Sequence, residues 1–177
     1  YVPAILLCVF LAVPVHAQWA KAYSTGPDEE PIAVLVNAEG KLRLAGFSKI
    51  LLNPSPYTSV LEHRSWFMEI SGDGNEAEKY PLSAQKDDVD PDSERHEWVR
   101  SLQPTVDGGY ILAGEMEAGG TEGYMNADYN CAFFLKLSSD LQIEWQSCFG
   151  NQDRNSAERA LDVQPSADGG YIAVGST

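Results

Sequence analysis

The chain has 177 residues, 26 of them Asp or Glu against 12 Lys or Arg, for a formal charge of −14. That balance excludes a nucleic-acid partner in the ordinary sense, because affinity for a phosphate backbone comes from Lys and Arg displacing counterions. An apolar fraction of 44% excludes a chain disordered by composition.

Taken in order, the chain begins with an apolar run, Val2 to Val15, too short and too broken by Pro to span a bilayer comfortably. It ends in Val15-His16-Ala17, with small residues at the two positions a signal peptidase reads. Residues 1–17 are therefore expected to be the apolar region and cleavage site of a secretory signal whose basic leading region is missing, and Cys8 and His16 leave with it. A buried N-terminal strand or helix is the competing reading. The mature chain then has no membrane span and is expected outside the cytoplasm: secreted, periplasmic or at the cell surface.

Gln18 to Gly26 reads as a strand like Glu144 to Gly150, each with a Trp, an aromatic four residues on and a nearby Gly. Pro31 to Asn37 is a continuous β-branched run and reads as a buried strand. Leu42 to Gly46 follows a Glu39-Gly40 turn. Phe47 to Arg64, holding Pro54 and Pro56, reads as a loop. Ser65 to Ile70 is a strand, Ser71 to Asn75 a turn, and a weaker strand runs to Leu82. Gln85 to Glu97 is a polar, acidic insertion. Glu97 to Gln103 and Tyr110 to Gly114 form a hairpin around Asp107-Gly108-Gly109. Beyond the loop Glu115 to Asn130 come strands Cys131 to Leu137 and Gln142 to Phe149, joined by a turn at Ser138 to Leu141. Glu158 to Gln164 leads into a last hairpin.

The organising stretch is DGGYILAG, Asp107 to Gly114, which returns as DGGYIAVG, Asp168 to Gly175, and more weakly as EGKLRLAG, Glu39 to Gly46. Their turn glycines, Gly40, Gly108 and Gly169, are 68 and 61 residues apart. Self-similarity at this period marks a repeated supersecondary unit, here of four strands. The fold class predicted is all-β, a partial β-propeller of four-stranded antiparallel blades. Residues 18–177 would supply about two and a half blades, against the four to eight of a closed ring, so the native chain is expected to continue past Thr177. Stacked blades cover both faces of their inner strands, which explains the continuous apolar runs. The Gly pair is expected to supply positive φ in the turn, and the terminal Ala-Gly to keep bulk low where blades crowd.

DGGYILAG and DGGYIAVG, linked by FFLKLSSDLQIEWQSCFG, closely resemble the bacterial secreted repeat proteins of pattern DGGY(I/V)(I/V)AG…KLD..G…W…FGG. The resemblance runs from Gln18 to Thr177 and is strongest from Glu97 onward. It implies an exported, propeller-like repeat domain with no shared catalytic residues. The first copy departs from the pattern: Lys41 replaces the second Gly, Leu42 the Tyr, and Glu78 the residue corresponding to Trp145.

Few residues carry a chemical signal. Asp88, Asp90 and Asp92 alternate as calcium ligands do in D-x-D-x-D loops, but Ser93 stands where such loops carry Gly and Pro91 stiffens the middle, so a solvated acidic insertion is expected. His63 and His96 have no partner at ligand spacing and read as surface residues. Glu115, Glu117 and Glu122 lie in a Gly-rich loop and read as exposed charge rather than the carboxylate pair of a glycosidase. No phosphate-binding loop, nucleophile elbow or zinc helix motif occurs, and no cofactor is expected. The strand aromatics, Trp66, Phe67, Tyr110, Phe133, Phe134, Trp145, Phe149 and Tyr171, are assigned to packing between blades before a glycan platform. Cys131 and Cys148 flank the turn at Ser139-Asp140 symmetrically, which would set them directly opposite in the hairpin. A disulfide between them is expected in an exported chain; buried thiols are the alternative.

The function these features suggest is a non-catalytic module that binds protein or glycan through the variable loops Phe47–Arg64, Gln85–Arg95 and Glu115–Asn130. The alternative is the propeller portion of a larger secreted polysaccharide hydrolase or lyase. Exposed aromatics would favour the first, and a convergent cluster of carboxylates and His the second.

Overall fold

The computed structural model describes residues 5–8, 20–23, 28–55, 58–82, 95–118, 129–150 and 157–177. These residues hold twelve strands and no helix: β1 (Ile5–Cys8), β2 (Ala20–Tyr23), β3 (Glu29–Val36), β4 (Leu42–Ser55), β5 (Thr58–Ile70), β6 (Ala77–Pro81), β7 (Arg95–Pro104), β8 (Tyr110–Ala118), β9 (Tyr129–Leu137), β10 (Ile143–Phe149), β11 (Arg159–Pro165) and β12 (Tyr171–Ser176). The molecule is all-β, as the recurrent turn signals and absent helical periodicity required, and no helix among the described residues is long and apolar enough to cross a membrane.

Eight strands form one sheet in the order β10-β9-β8-β7-β5-β4-β3, with β6 also on β5. Within it, β3 to β6 and β7 to β10 are each joined by antiparallel pairing of consecutive strands. The two runs meet through a single parallel pairing, His63 with His96. β11 and β12 form a separate hairpin, linked back by one parallel bridge between Asn130 and Ala157. Asn130 lies 67 residues after His63 and Ala157 lies 61 after His96, so the two junctions occupy the same place in successive repeats. Among the described residues the sheet does not close on itself.

The runs stack face to face. The main core joins Ala45 and Phe67 of the first to Leu102, Leu112, Leu135 and Leu137 of the second. A smaller core joins Ile111 and Ala113 of β8 to Ala160 and Val163 of β11. The Ser101 hydroxyl, on β7, bonds the Asp162 carboxylate at 2.5 Å beside that second core. Leu42, Leu44, Trp66, Met68 and Ile70 point the other way, and Tyr23 covers them, its hydroxyl donating to the Gly74 carbonyl at 2.6 Å. β1, within the stretch read as a signal, pairs with β2 in the uncut chain.

Four sequence expectations need correcting here. Phe47–Arg64 is not a loop: β4 and β5 stay paired from Leu42 with Ile70 out to Ser55 with Thr58. Proline disrupts a ladder only where it sits, and Pro54 falls where the register shifts, between Leu52 and Ser55. β3 is an edge strand rather than a doubly covered one, leaving Ile32, Val34 and Val36 38%, 47% and 49% exposed. Of the Gly pair, only the first residue takes positive φ, 83° at Gly108. Gly109 is needed for a different reason: a Cβ there would strike the Leu137 carbonyl and stand 2.7 Å from the Lys136 ammonium.

The fourth correction concerns the Ala-Gly that ends each copy. The ladder shifts register between Pro31 and Ala33, Val99 and Ser101, and Ala160 and Asp162, the same place in each copy. Such a bulge turns one carbonyl toward the partner strand. A Cβ on Gly46, Gly114 or Gly175 would overlap the carbonyl oxygen of Glu30, Trp98 or Arg159 respectively. Close approach of the paired strand, not crowding by a neighbouring sheet, demands the glycine.

Candidate functional site

Four hairpin turns are built from a hydroxyl residue, a spacer and an aspartate, whereas in the β3–β4 turn the Asn37 side-chain oxygen accepts from the amides of Glu39 and Lys41. Ser71 and Ser138 donate to Asp73 and Asp140 at 2.6 Å, and Thr105 and Ser166 donate to Asp107 and Asp168. The amides of Gly109 and Gly170 add a second bond, 3.1 Å each. Bonds to the ionised form lower a carboxyl's pKa. The Ser71 hydroxyl and the Asn75 amide hold Asp73 near about 2, and the other three also lie below the usual range.

Against the central turn lies Lys136, almost wholly buried. Its ammonium reaches Asp107 at 2.9 Å, Glu144 at 3.0 Å and the Leu137 carbonyl at 2.9 Å. Burial opposes its charge, but the bonds to Asp107 and Glu144 prevail and raise its pKa. In the first copy the polarity is exchanged. Glu69 stands at the Lys136 position and Lys41 at that of Gly109, 3.0 Å apart, with Arg43 2.5 Å from the same carboxylate. What read as a departure from the motif is the same clamp with its charges swapped.

These turns hold the strand ends that shape an open feature of the surface. In the second run β9 lies along the edge of β8 and delivers Phe133, Leu135 and Leu137 to the main core. The corresponding edge of β12 carries no strand among the described residues. The result is an apolar groove of about 980 Å³, lined by Phe134, Trp145, Phe149, Tyr171 and Ala173, with Glu158 and Arg159 at its rim. Phe134 and Phe149 meet edge-on at 5.6 Å between ring centres, and Trp145 tilts over Tyr171 at 5.8 Å. Trp145 is 39% and Phe149 62% exposed.

The aromatics expected as packing therefore divide. Trp66, Phe67, Tyr110 and Phe133 are buried, whereas Trp145 and Phe149 face the groove. Their adjacency was not legible from the sequence, because it depends on which edge β9 covers.

Cys131 and Cys148 stand at disulfide distance, their Cα atoms 5.6 Å apart. They are not directly opposed: a bulge between Ile143 and Trp145 shifts the ladder so that Cys148 faces Phe133. Cys131 is its diagonal neighbour on the same face, and that separation suits a disulfide. Glu115 and Glu117 lie on β8, not in a loop. Glu115 is buried and paired with Arg100, with Arg159 3.7 Å away. Glu122, the calcium candidates Asp88, Asp90 and Asp92, and most of both remaining loops lie outside the described residues. Among those described, no group of three or more His, Cys, Asp or Glu side chains converges.

His63 and His96 are brought together, which sequence spacing did not suggest. Their Nδ1 atoms are 3.0 Å apart. Trp98 lies 4.8 Å from the His63 ring and stacks on His96 at 5.4 Å. Burial lowers the His63 pKa, with His96 and Lys49 adding to the effect and Glu30 opposing it.

No protein-family model matches the chain, and no curated protein matches it significantly.

Proposed function

We propose that this chain is an exported, non-catalytic repeat module of β-propeller type whose β12 edge takes a further strand, from a following repeat or from a partner protein. The propeller reading is supported by the two runs of four consecutive antiparallel strands and by their face-to-face cores. Export is supported by the cysteine pair at disulfide distance, since disulfides persist in oxidising compartments.

The observation that carries this reading is the aromatic groove beside the β12 edge, which no described strand covers. Strand addition combines main-chain hydrogen bonds with pockets for alternate side chains. The molecule displays the matching ligand itself: β9 does this on β8, inserting Phe133, Leu135 and Leu137. A partner strand with the same apolar alternation fits the groove better than a glycan, because hydroxyls would find few polar groups there.

The test is titration of a disulfide-closed peptide carrying the sequence of residues 129–150, followed by tryptophan fluorescence. Binding weakened about tenfold or more by Ala173→Asp, in a variant with unchanged circular dichroism, is the expected result. Undiminished binding by that variant, or competition by oligosaccharides alone, would remove the strand-addition reading.

A further inference from the structure

We propose that His63 and His96 form a two-imidazole site for a divalent first-row transition metal, with Cu²⁺ preferred. Two side chains from different runs direct the same ring nitrogen at one point, Nδ1 to Nδ1 at 3.0 Å. Metal–imidazole bonds of about 2.0–2.1 Å place two nitrogens about 2.9 Å apart at a right angle and about 3.4 Å apart at the tetrahedral angle. The observed spacing is close to the first value, the tetragonal geometry of Cu²⁺. Cu²⁺ also stands highest among these metals for nitrogen sites.

The junction itself does not require imidazoles. The next junction makes the same parallel bridge with Asn130 and Ala157, so pairing and stacking proceed without them. Around the histidines, Trp98 and Phe47 supply aromatic walls, Phe47 meeting His63 edge-on at 5.8 Å. An apolar shell of this kind fixes ring orientation and limits solvent at a metal site. The charged neighbours are compatible with a cation. Lys49, opposite His63 in the ladder, is engaged by Glu30, and Glu117 stands opposite His96.

Without metal, one Nδ1–H donates to the other Nδ1. On ligation the donor ring moves that proton to its Nε2, so both rings offer a lone pair and a neutral pair loses no proton. Water completes the coordination. The metal would link β5 to β7, the point where the two runs share a single backbone pairing.

The experiment is titration of the intact chain with Cu²⁺ alone, read by tryptophan quenching and by electron paramagnetic resonance. One equivalent should bind with equatorial imidazole nitrogens in the spectrum, and Trp98→Phe should remove most of the quenching without removing the binding. His63→Asn combined with His96→Ala copies the residues of the neighbouring junction and should weaken binding about tenfold or more. Unchanged affinity in that double variant would overturn the proposal. The wild-type spectrum decides independently of how the variant folds, since ligation by oxygen alone would also overturn it.

Discussion

Lys136 shows how much a single side chain can organise in this fold. A buried ammonium is tolerated only when its donors are satisfied, and here Asp107, Glu144 and the Leu137 carbonyl take all three. It thereby ties the turn before β8 to β9 and β10. Lys136→Met keeps the apolar stem but removes charge-assisted bonds worth roughly 2 kcal/mol net. A urea denaturation curve should record a loss of about that size, and a change within error would show that the clamp is ornamental. The corresponding pair in the first copy, Lys41 with Glu69, is more exposed, so Lys41→Met should cost less. The sequence marked Lys41 as a deviation but assigned Lys136 no role. That they exchange charge became visible only once the ladders placed Ile111 opposite Lys136 and Arg43 opposite Glu69.

Elements were the most legible scale. Every strand from β3 to β12 lies in or overlaps a run expected from apolar patterning and turn residues, because in hairpins the turn chemistry sets where a strand begins. Register was not legible. The extra residue between Ile143 and Trp145 moves the cysteines from opposed to diagonal, and nothing in the local sequence announces a bulge. In the inner strands the bulge does leave a trace, the glycine its carbonyl demands in the partner. Gly114→Ala should therefore destabilise by about 2–3 kcal/mol, as overpacking does, although its φ is unremarkable. Thermal unfolding monitored by circular dichroism checks this. A tolerated alanine would mean that the Trp98 carbonyl can move aside.

At the scale of the molecule, four of the turns share one electrostatic device. Asp73, Asp107, Asp140 and Asp168 all have folded-state pKa values below the ordinary carboxylate range. A depressed pKa contributes stability that is fully present above the unfolded value, about 4, and is lost as pH falls through the folded one. Since Asp73 titrates near about 2, the urea midpoint should fall steadily between about pH 4 and pH 2, and Asp73→Asn should flatten part of that slope. A midpoint that stays level over this interval would disprove the contribution. The groove and the histidine pair were illegible for a common reason. Both arise where one repeat meets the next, and residues 33 positions apart in sequence, such as His63 and His96, become neighbours only through that meeting.

The junctions have a consequence for how such a chain is inherited. Antiparallel pairing runs between consecutive strands inside each copy, and a single parallel backbone pairing crosses from one copy to the next. Duplication or loss of a whole copy in the gene therefore leaves every ladder intact and asks only that two sheet faces match. A recombination breakpoint inside a copy would sever several ladders at once. Because the crossing point accepts His with His in one place and Asn with Ala in another, new copies can diverge there without disturbing the stack that carries them.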